Sequence, residues 1–265
     1  MTAVRIEVAE MRYGNGVRTL QDLQFGVAEG EFLALVGPSG TGKTTLLNIV
    51  AGLETATAGD VRFAHGDDWT VTRPDMGFMF QEPRLMPWLT VAQNLELVRP
   101  EQGSETFAGR MDALLQQVGL ADFREAYPGQ LSGGMQRRAA LVRAFIRRPR
   151  LLLMDEPFQS LDAPTADQLR QILLELWAST QATVLFVTHS LTEALTLADR
   201  IVFLSERPAR LILDYPVQLA RPRPLAQVHG LQDELLGRHP ALLSGSCCEG
   251  RNKIARAPSR SRHPR

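Results

Sequence analysis

The sequence predicts an α/β fold built on a mainly parallel sheet, and three observations carry that reading. Strand-sized apolar runs alternate with helix-periodic segments through most of the 265 residues. One run, Phe32 to Val36, breaks at Gly37 and resumes as the helical stretch Thr44 to Val50, the strand, loop and helix order of a parallel-sheet unit. No repeat of solenoid period is present.

The elements follow in order. Val4 to Val8 and Leu23 to Val27 alternate apolar and polar residues around the turn-rich Tyr13-Gly14-Asn15-Gly16, the pattern of hairpin strands. Between about residues 85 and 130 the pattern becomes helical, with Met111, Leu114, Leu115 and Val118 at spacings of three and four, which predicts an inserted helical subdomain at about 85–148. From 133 helix, strand, helix and strand return as Arg137 to Arg148, Leu151 to Met154, Ala166 to Trp177 and Thr183 to Val187. The main domain is expected over 1–215. Beyond Arg207, prolines at 208, 216, 222, 224 and 240 rule out long regular elements, and a C-terminal extension is expected over 216–245. Residues 246–265 are expected to be a disordered basic tail.

Composition narrows the class. Hydrophobic residues make up 44% and charged residues 22%, as in globular chains, and the apolar runs fall far short of the roughly 20 residues that a bilayer demands. Net charge is +0, so no global field draws the chain to nucleic acid or anionic lipid. The tail is the exception: from Ser246 six basic residues stand against Glu249 alone. The adjacent Cys247 and Cys248 make a disulfide framework or a Cys-rich zinc site implausible, which suits a reducing compartment.

Three motifs carry chemistry. Gly37-Pro38-Ser39-Gly40-Thr41-Gly42-Lys43-Thr44 satisfies the phosphate-loop pattern. Its glycines let successive N–H groups turn toward one point, the following helix start adds partial positive charge, Lys43 supplies charge for β- and γ-phosphates, and Thr44 offers a hydroxyl to Mg²⁺. Leu151 to Glu156 is an apolar strand ending in two carboxylates, where an open α/β sheet places its ligand. Asp155 can bind Mg²⁺ there, and Glu156 can take a proton from water lined up on a γ-phosphate. In Leu131-Ser132-Gly133-Gly134-Met135, Ser132 is a natural N-cap and the glycines leave N–H groups open, which makes a second anion-binding helix start. One chain needs only one phosphate loop for one nucleotide, so a second anion site predicts a head-to-tail dimer, while on residue physics alone a capped helix after a loop is the favoured alternative.

Together these residues resemble the ATP-binding subunit of an ABC transporter over about residues 3–215, with Walker A at Gly37 to Thr45, the signature at Leu131 to Met135 and Walker B at Leu151 to Glu156. The resemblance implies the P-loop NTPase fold of ABC ATPases, with a mainly parallel core, an N-terminal antiparallel β subdomain and a helical subdomain. It also implies roles for further residues. Gln81 resembles the Q-loop glutamine that senses Mg²⁺, attacking water and the membrane partner. Ser160-Leu161-Asp162 resembles the D-loop, His189 the switch histidine at the γ-phosphate, and Tyr13 the aromatic that stacks on adenine. Glu156, His189, Gln81 and Lys43 are the implied catalytic set. ATP is the implied ligand of Tyr13, Gly37 to Thr45, Gln81, Ser132, Gly133, Gly134, Asp155 and Asp162, with Mg²⁺ at Thr44, Gln81 and Asp155.

Within the family, Phe80 to Val91 is similar to importer subunits for nitrate, sulfonates and taurine. Leu85, Met86 and Trp88 form an apolar cluster in a Pro-flanked loop, a seat for a short helix from a membrane subunit, although Trp88 could equally be buried in its own domain. The implied partners are a second copy or a similar ATPase subunit, a permease and a solute-binding protein, at the cytoplasmic face of the cell membrane. The rivals are an ABC-type ATPase acting on nucleic acid or ribosomes, supported only by the basic tail, and a small-molecule kinase, which gives no reason for Leu131 to Met135. Two departures stand out: Ser190 follows His189 where the family often has aspartate, and Gln136-Arg137-Arg138 departs from the usual order.

Overall fold

The computed structural model describes residues 2–100 and 104–245. The hairpin is present as β1 (Thr2–Arg12) and β2 (Arg18–Ala28), antiparallel and longer than the alternation alone suggested. Then come β3 (Phe32–Val36), α1 (Lys43–Ala51), β4 (Ala58–His65), β5 (Asp68–Thr70) and β6 (Met76–Met79). The helical stretch holds α2 (Val91–Glu96), α3 (Ser104–Gln117) and α4 (Gly133–Phe145). After it run β7 (Leu151–Asp155), α5 (Ala163–Thr180), β8 (Thr183–Thr188), α6 (Leu191–Leu197), β9 (Arg200–Leu204), β10 (Leu211–Pro216) and α7 (Leu225–Arg238).

Two sheets form. An antiparallel sheet has the order β2-β1-β4-β5, and a six-stranded sheet has the order β10-β9-β3-β8-β7-β6. In the larger sheet every pairing is parallel except that of the edge strand β10. Its central strands are buried on both faces, which is why they read as unbroken apolar runs. The period of two divides them: Phe32, Ala34 and Val36 enter the core under the helices, whereas Leu33 and Leu35 enter the core shared with α1 and the antiparallel sheet. Leu152 and Met154 of β7 and Val184 and Phe186 of β8 follow Phe32, and Leu151, Leu153, Leu185 and Val187 follow Leu33. Each such side chain contributes about 1.5–3 kcal/mol of burial. The sheet is thereby held firmly enough for its strand ends to serve as a platform.

The C-terminal extension differs from expectation. β10 and the 14-residue α7 form because the prolines bracket them: Pro216 ends the strand, Pro224 is the N-cap of the helix, and Pro240 follows its end. Proline lacks only the N–H that a first helical turn leaves free anyway, so it marks these boundaries without breaking the element. α7 packs on α6 through Val228 and Leu235, and Gly245 returns to the larger sheet, where its carbonyl accepts from the Glu206 N–H at 3.1 Å. The expected disordered tail, 246–265, lies outside the described residues.

Candidate functional site

The parallel strands deliver the candidate residues to one edge of the sheet. Gly37 follows β3, Gln81 follows β6, Asp155 ends β7 with Glu156 next, and His189 follows β8. This is the carboxyl edge, where open α/β sheets bind ligands.

Gly37, Pro38, Ser39, Gly40, Thr41 and Gly42 form the loop into α1, with Gly40 at φ +75° and Gly42 at φ +113°. A side chain at Gly42 would collide with the Thr19 methyl at 2.6 Å and Leu20 at 2.8 Å, so β2 forms the back wall of the loop. The N–H groups of Gly40, Thr41 and Gly42 have no protein acceptor among the described residues, as an anion cradle requires. Lys43 is buried, and its Nζ donates to the carbonyls of Gly37 (2.8 Å) and Pro38 (2.7 Å). Burial pushes its ammonium below the usual lysine range, against the pull of Glu156 and Asp155.

Asp155 is buried, and its Oδ1 has no hydrogen-bond partner. Desolvation raises its carboxyl above the ordinary aspartate range, and the Thr44 hydroxyl and Lys43 oppose that. A buried carboxylate oxygen left open beside a threonine hydroxyl fits a hard cation that takes oxygen ligands. Glu156 has φ +43°, uncommon for a residue with a side chain, and its N–H is held by the Val187 carbonyl at 2.9 Å. Its Oε2 lies 2.8 Å from His189 Nδ1, so the two side chains already touch. Thr188 and Ser190, on either side of His189, are both tied to Glu193. Thr188 Oγ1 donates to the Glu193 carboxylate at 2.6 Å, and Ser190 Oγ accepts from the Glu193 N–H at 3.3 Å as the N-cap of α6. Ser190 therefore does the capping work that an aspartate would do there.

Tyr13, 38% exposed, reaches α1: its hydroxyl lies 2.9 Å from Thr45 Oγ1 and donates to Glu54 at 2.9 Å. The aromatic ring is thus tethered to the first turn behind the phosphate loop. The Gln81 side chain donates to that of Gln159.

Ser132 caps α4, its Oγ accepting from Met135 N–H at 3.3 Å. Asp162 likewise caps α5 through Thr165 N–H at 3.2 Å, and the Thr165 hydroxyl and N–H hold its carboxyl below the usual range. The two caps adjoin, since a Cβ at Gly134 would lie 2.5 Å from the Thr165 methyl. Ser132 and Gly133 are exposed, and no hydrogen bond joins Ser132, Gly133 or Gly134 to this chain's phosphate loop. The site thus gathers Tyr13, the loop, Asp155, Glu156 and His189, while Ser132, Gly133 and Gly134 sit apart beside the cap at Asp162.

Two arginines went unnoticed in the sequence as site residues. Arg137, buried in α4, donates to the carbonyls of Gln81 (2.9 Å), Pro157 (2.9 Å) and Gln159 (2.6 Å), and so ties the signature helix to the segments after β6 and β7. Its place inside the departing Gln136-Arg137-Arg138 triplet was the only signal. Arg207, between β9 and β10, donates through Nε to the Gly40 carbonyl at 3.1 Å, and no sequence pattern marked it.

The family model for ABC transporters matches residues 20–159. The chain is 40% identical over 228 residues to the aliphatic sulfonates import ATP-binding protein SsuB of Bacillus subtilis (strain 168), covering 83% of this chain and 87% of that protein. It is 38% identical over 227 residues to the taurine import ATP-binding protein TauB of Jannaschia sp. (strain CCS1), covering 83% and 84%. Among solved structures, the dimeric post-hydrolysis state of the ATP-binding cassette MJ0796 bound to ADP and Pi aligns with TM-score 0.70 at 29% identity, over 82% of this chain and 100% of that one. A phosphate loop with free N–H groups, a touching glutamate and histidine at the sheet edge, and this likeness lead to one assignment: the chain belongs to the ABC transporter family and is one of its ATPases.

Proposed function

We propose that this chain is the ATP-hydrolysing subunit of an importer for a small solute of the nitrate, sulfonate or taurine type, working as a dimer beneath a separate permease at the cytoplasmic face of the cell membrane. The observation that carries the hydrolytic part is the 2.8 Å contact between Glu156 and His189 beside buried Lys43 and Asp155. Glu156 accepts a proton from the water that attacks the γ-phosphate, and His189 holds that carboxylate in place. Lys43 leaves its two loop carbonyls for the phosphate oxygens, and the free loop N–H groups receive the rest of the charge. Thr44 and Asp155, with Gln81, would hold Mg²⁺, which would supply positive charge against the triphosphate.

The exposed Ser132 and Gly133 and the half-buried Gly134, capped beside Asp162, meet a second copy's γ-phosphate, which gives the two anion sites of one chain two different nucleotides. The adenine lies on Tyr13. Import of a sulfonate-type solute is supported by the names of the relatives SsuB and TauB. Docking to a permease is supported by Trp88, which is 69% exposed. The loop that presents it is fixed by buried Asn94, whose side chain bonds the backbone of Met86, Leu89 and Thr90. A cleft of about 350 Å³ has Phe80, Leu97 and Arg143 in its walls, and Arg143 also donates to the Pro83 and Arg84 carbonyls, which offers a seat for a short amphipathic helix.

The test is Glu156→Gln. Hydrolysis is expected to fall by about a hundredfold or more while ATP binding persists, and light scattering should show a MgATP-dependent dimer. A variant that stays monomeric with saturating MgATP would refute the shared site, and unchanged turnover would remove Glu156 from its role.

A further inference from the structure

We propose that Arg207 is a positioning residue of the nucleotide site, which fixes the tip of the phosphate loop so that the Thr41 N–H faces the triphosphate. Arg207 stands in the turn between β9 and β10, with Nε and Nη2 both directed at the Gly40 carbonyl. A trans peptide is planar and its C=O and following N–H point in opposite directions. Holding the Gly40 oxygen outward on the guanidinium therefore turns the Thr41 N–H inward. Gly40 can take this orientation because its φ of +75° is open to glycine. The Thr41 side chain completes the tip, its hydroxyl donating to the Pro38 carbonyl at 3.1 Å.

The turn that carries Arg207 is itself over-determined, as a positioning element must be. Buried Ser205 accepts from the Arg210 N–H at 2.9 Å and donates to the Glu206 carbonyl at 2.8 Å. Ala209 bonds β2 in both directions, donating to the Thr19 carbonyl at 2.8 Å and accepting from the Gln21 N–H at 3.0 Å. Thr19 is also the residue that walls Gly42, so turn, β2 and loop form one packed unit. Arg207 is exposed and pairs with no carboxylate among the described residues; burial pushes the Tyr13 phenol above its usual range, and Arg207 is near enough to oppose that shift in part. Its charge therefore adds to the positive field at the rim between the ring of Tyr13 and the loop.

An interaction that orders the empty loop for any bound phosphate chain strengthens ground state and transition state alike, which moves KM and leaves kcat. The experiment compares Arg207→Ala and Arg207→Lys with the wild-type full chain by calorimetric ATP and ADP titration, steady-state ATPase assay and thermal melting. Arg207→Ala is expected to weaken ATP and ADP alike by about tenfold, the scale of one charge-assisted hydrogen bond, and to raise KM to match with kcat within about twofold. Arg207→Lys, which keeps the charge and loses the fork, should recover part of the affinity. Wild-type affinity in Arg207→Ala overturns the proposal, as does a fall in kcat at unchanged affinity. So does an Arg207→Lys protein as weak as Arg207→Ala with an equally lowered melting temperature. If Arg207→Ala fails to fold, the lysine variant decides: a loss of at least about threefold supports the role and wild-type affinity refutes it.

Discussion

Replacing Asp155 by asparagine should stabilise the nucleotide-free protein while destroying its hydrolysis. In the wild type a carboxylate sits in the core with Oδ1 lacking any partner, and desolvation has raised its pKa, so ionisation opposes folding. Asparagine keeps an unpartnered polar atom at that place and removes only the charge, so the gain is the relief of the desolvated ionised form. Lys43 loses one of its two attractive carboxylates in the variant, which takes back part of the gain and leaves a net on the order of 1 kcal/mol. For a chain of this size that is a rise in Tm of roughly 2–4 °C. The sign with pH follows from linkage. A carboxyl whose folded pKa lies above the unfolded value favours folding most at low pH, and that advantage is lost as pH rises through the folded pKa. The gap between Asp155→Asn and wild type should therefore be widest near neutral pH and narrow as pH falls. The assay is calorimetry without nucleotide or divalent cation from pH 5 to 8, beside phosphate release with MgATP. An Asp155→Asn protein melting at or below wild type at neutral pH would refute the account of this site as an open, strained cation ligand.

Two further outcomes follow from the hydrogen bonds. Arg137→Ala leaves three carbonyls without their donor and should cost about 2–4 kcal/mol by urea unfolding, and it should lower kcat more than ATP affinity because Gln81 and Gln159 lose their common anchor. Unchanged unfolding and turnover would count against that anchor. Ser190→Ala should lower stability by about 1 kcal/mol through the lost α6 cap. Ser190→Asp should retain it, and if calorimetry finds the aspartate as destabilising as alanine, the capping role is wrong.

The phosphate loop, the carboxylate pair and the central strands were legible in the sequence because their signals are local. A strand buried on both faces must be apolar throughout, as in Leu151 to Met154, and a phosphate cradle needs glycine at fixed places. β4 was not legible, since only Val61 and Phe63 alternate inward along its eight residues and the rest face solvent or the sheet edge. α7 was obscured by prolines that stand at its ends, a distinction that spacing alone does not make. Trp88, balanced between burial and exposure on sequence grounds, is exposed in a loop whose backbone Asn94 ties at Met86 and Leu89. Arg137 and Arg207 act on carbonyls 56 and 167 residues away, and such partners exist only once the chain has folded.

Lys43 has partners within its own loop, the two carbonyls that its ammonium grips. On the proposed reading a nucleotide arriving there would exchange bonds instead of quenching a bare charge, so its affinity would be a difference between two well-satisfied arrangements of one buried ammonium.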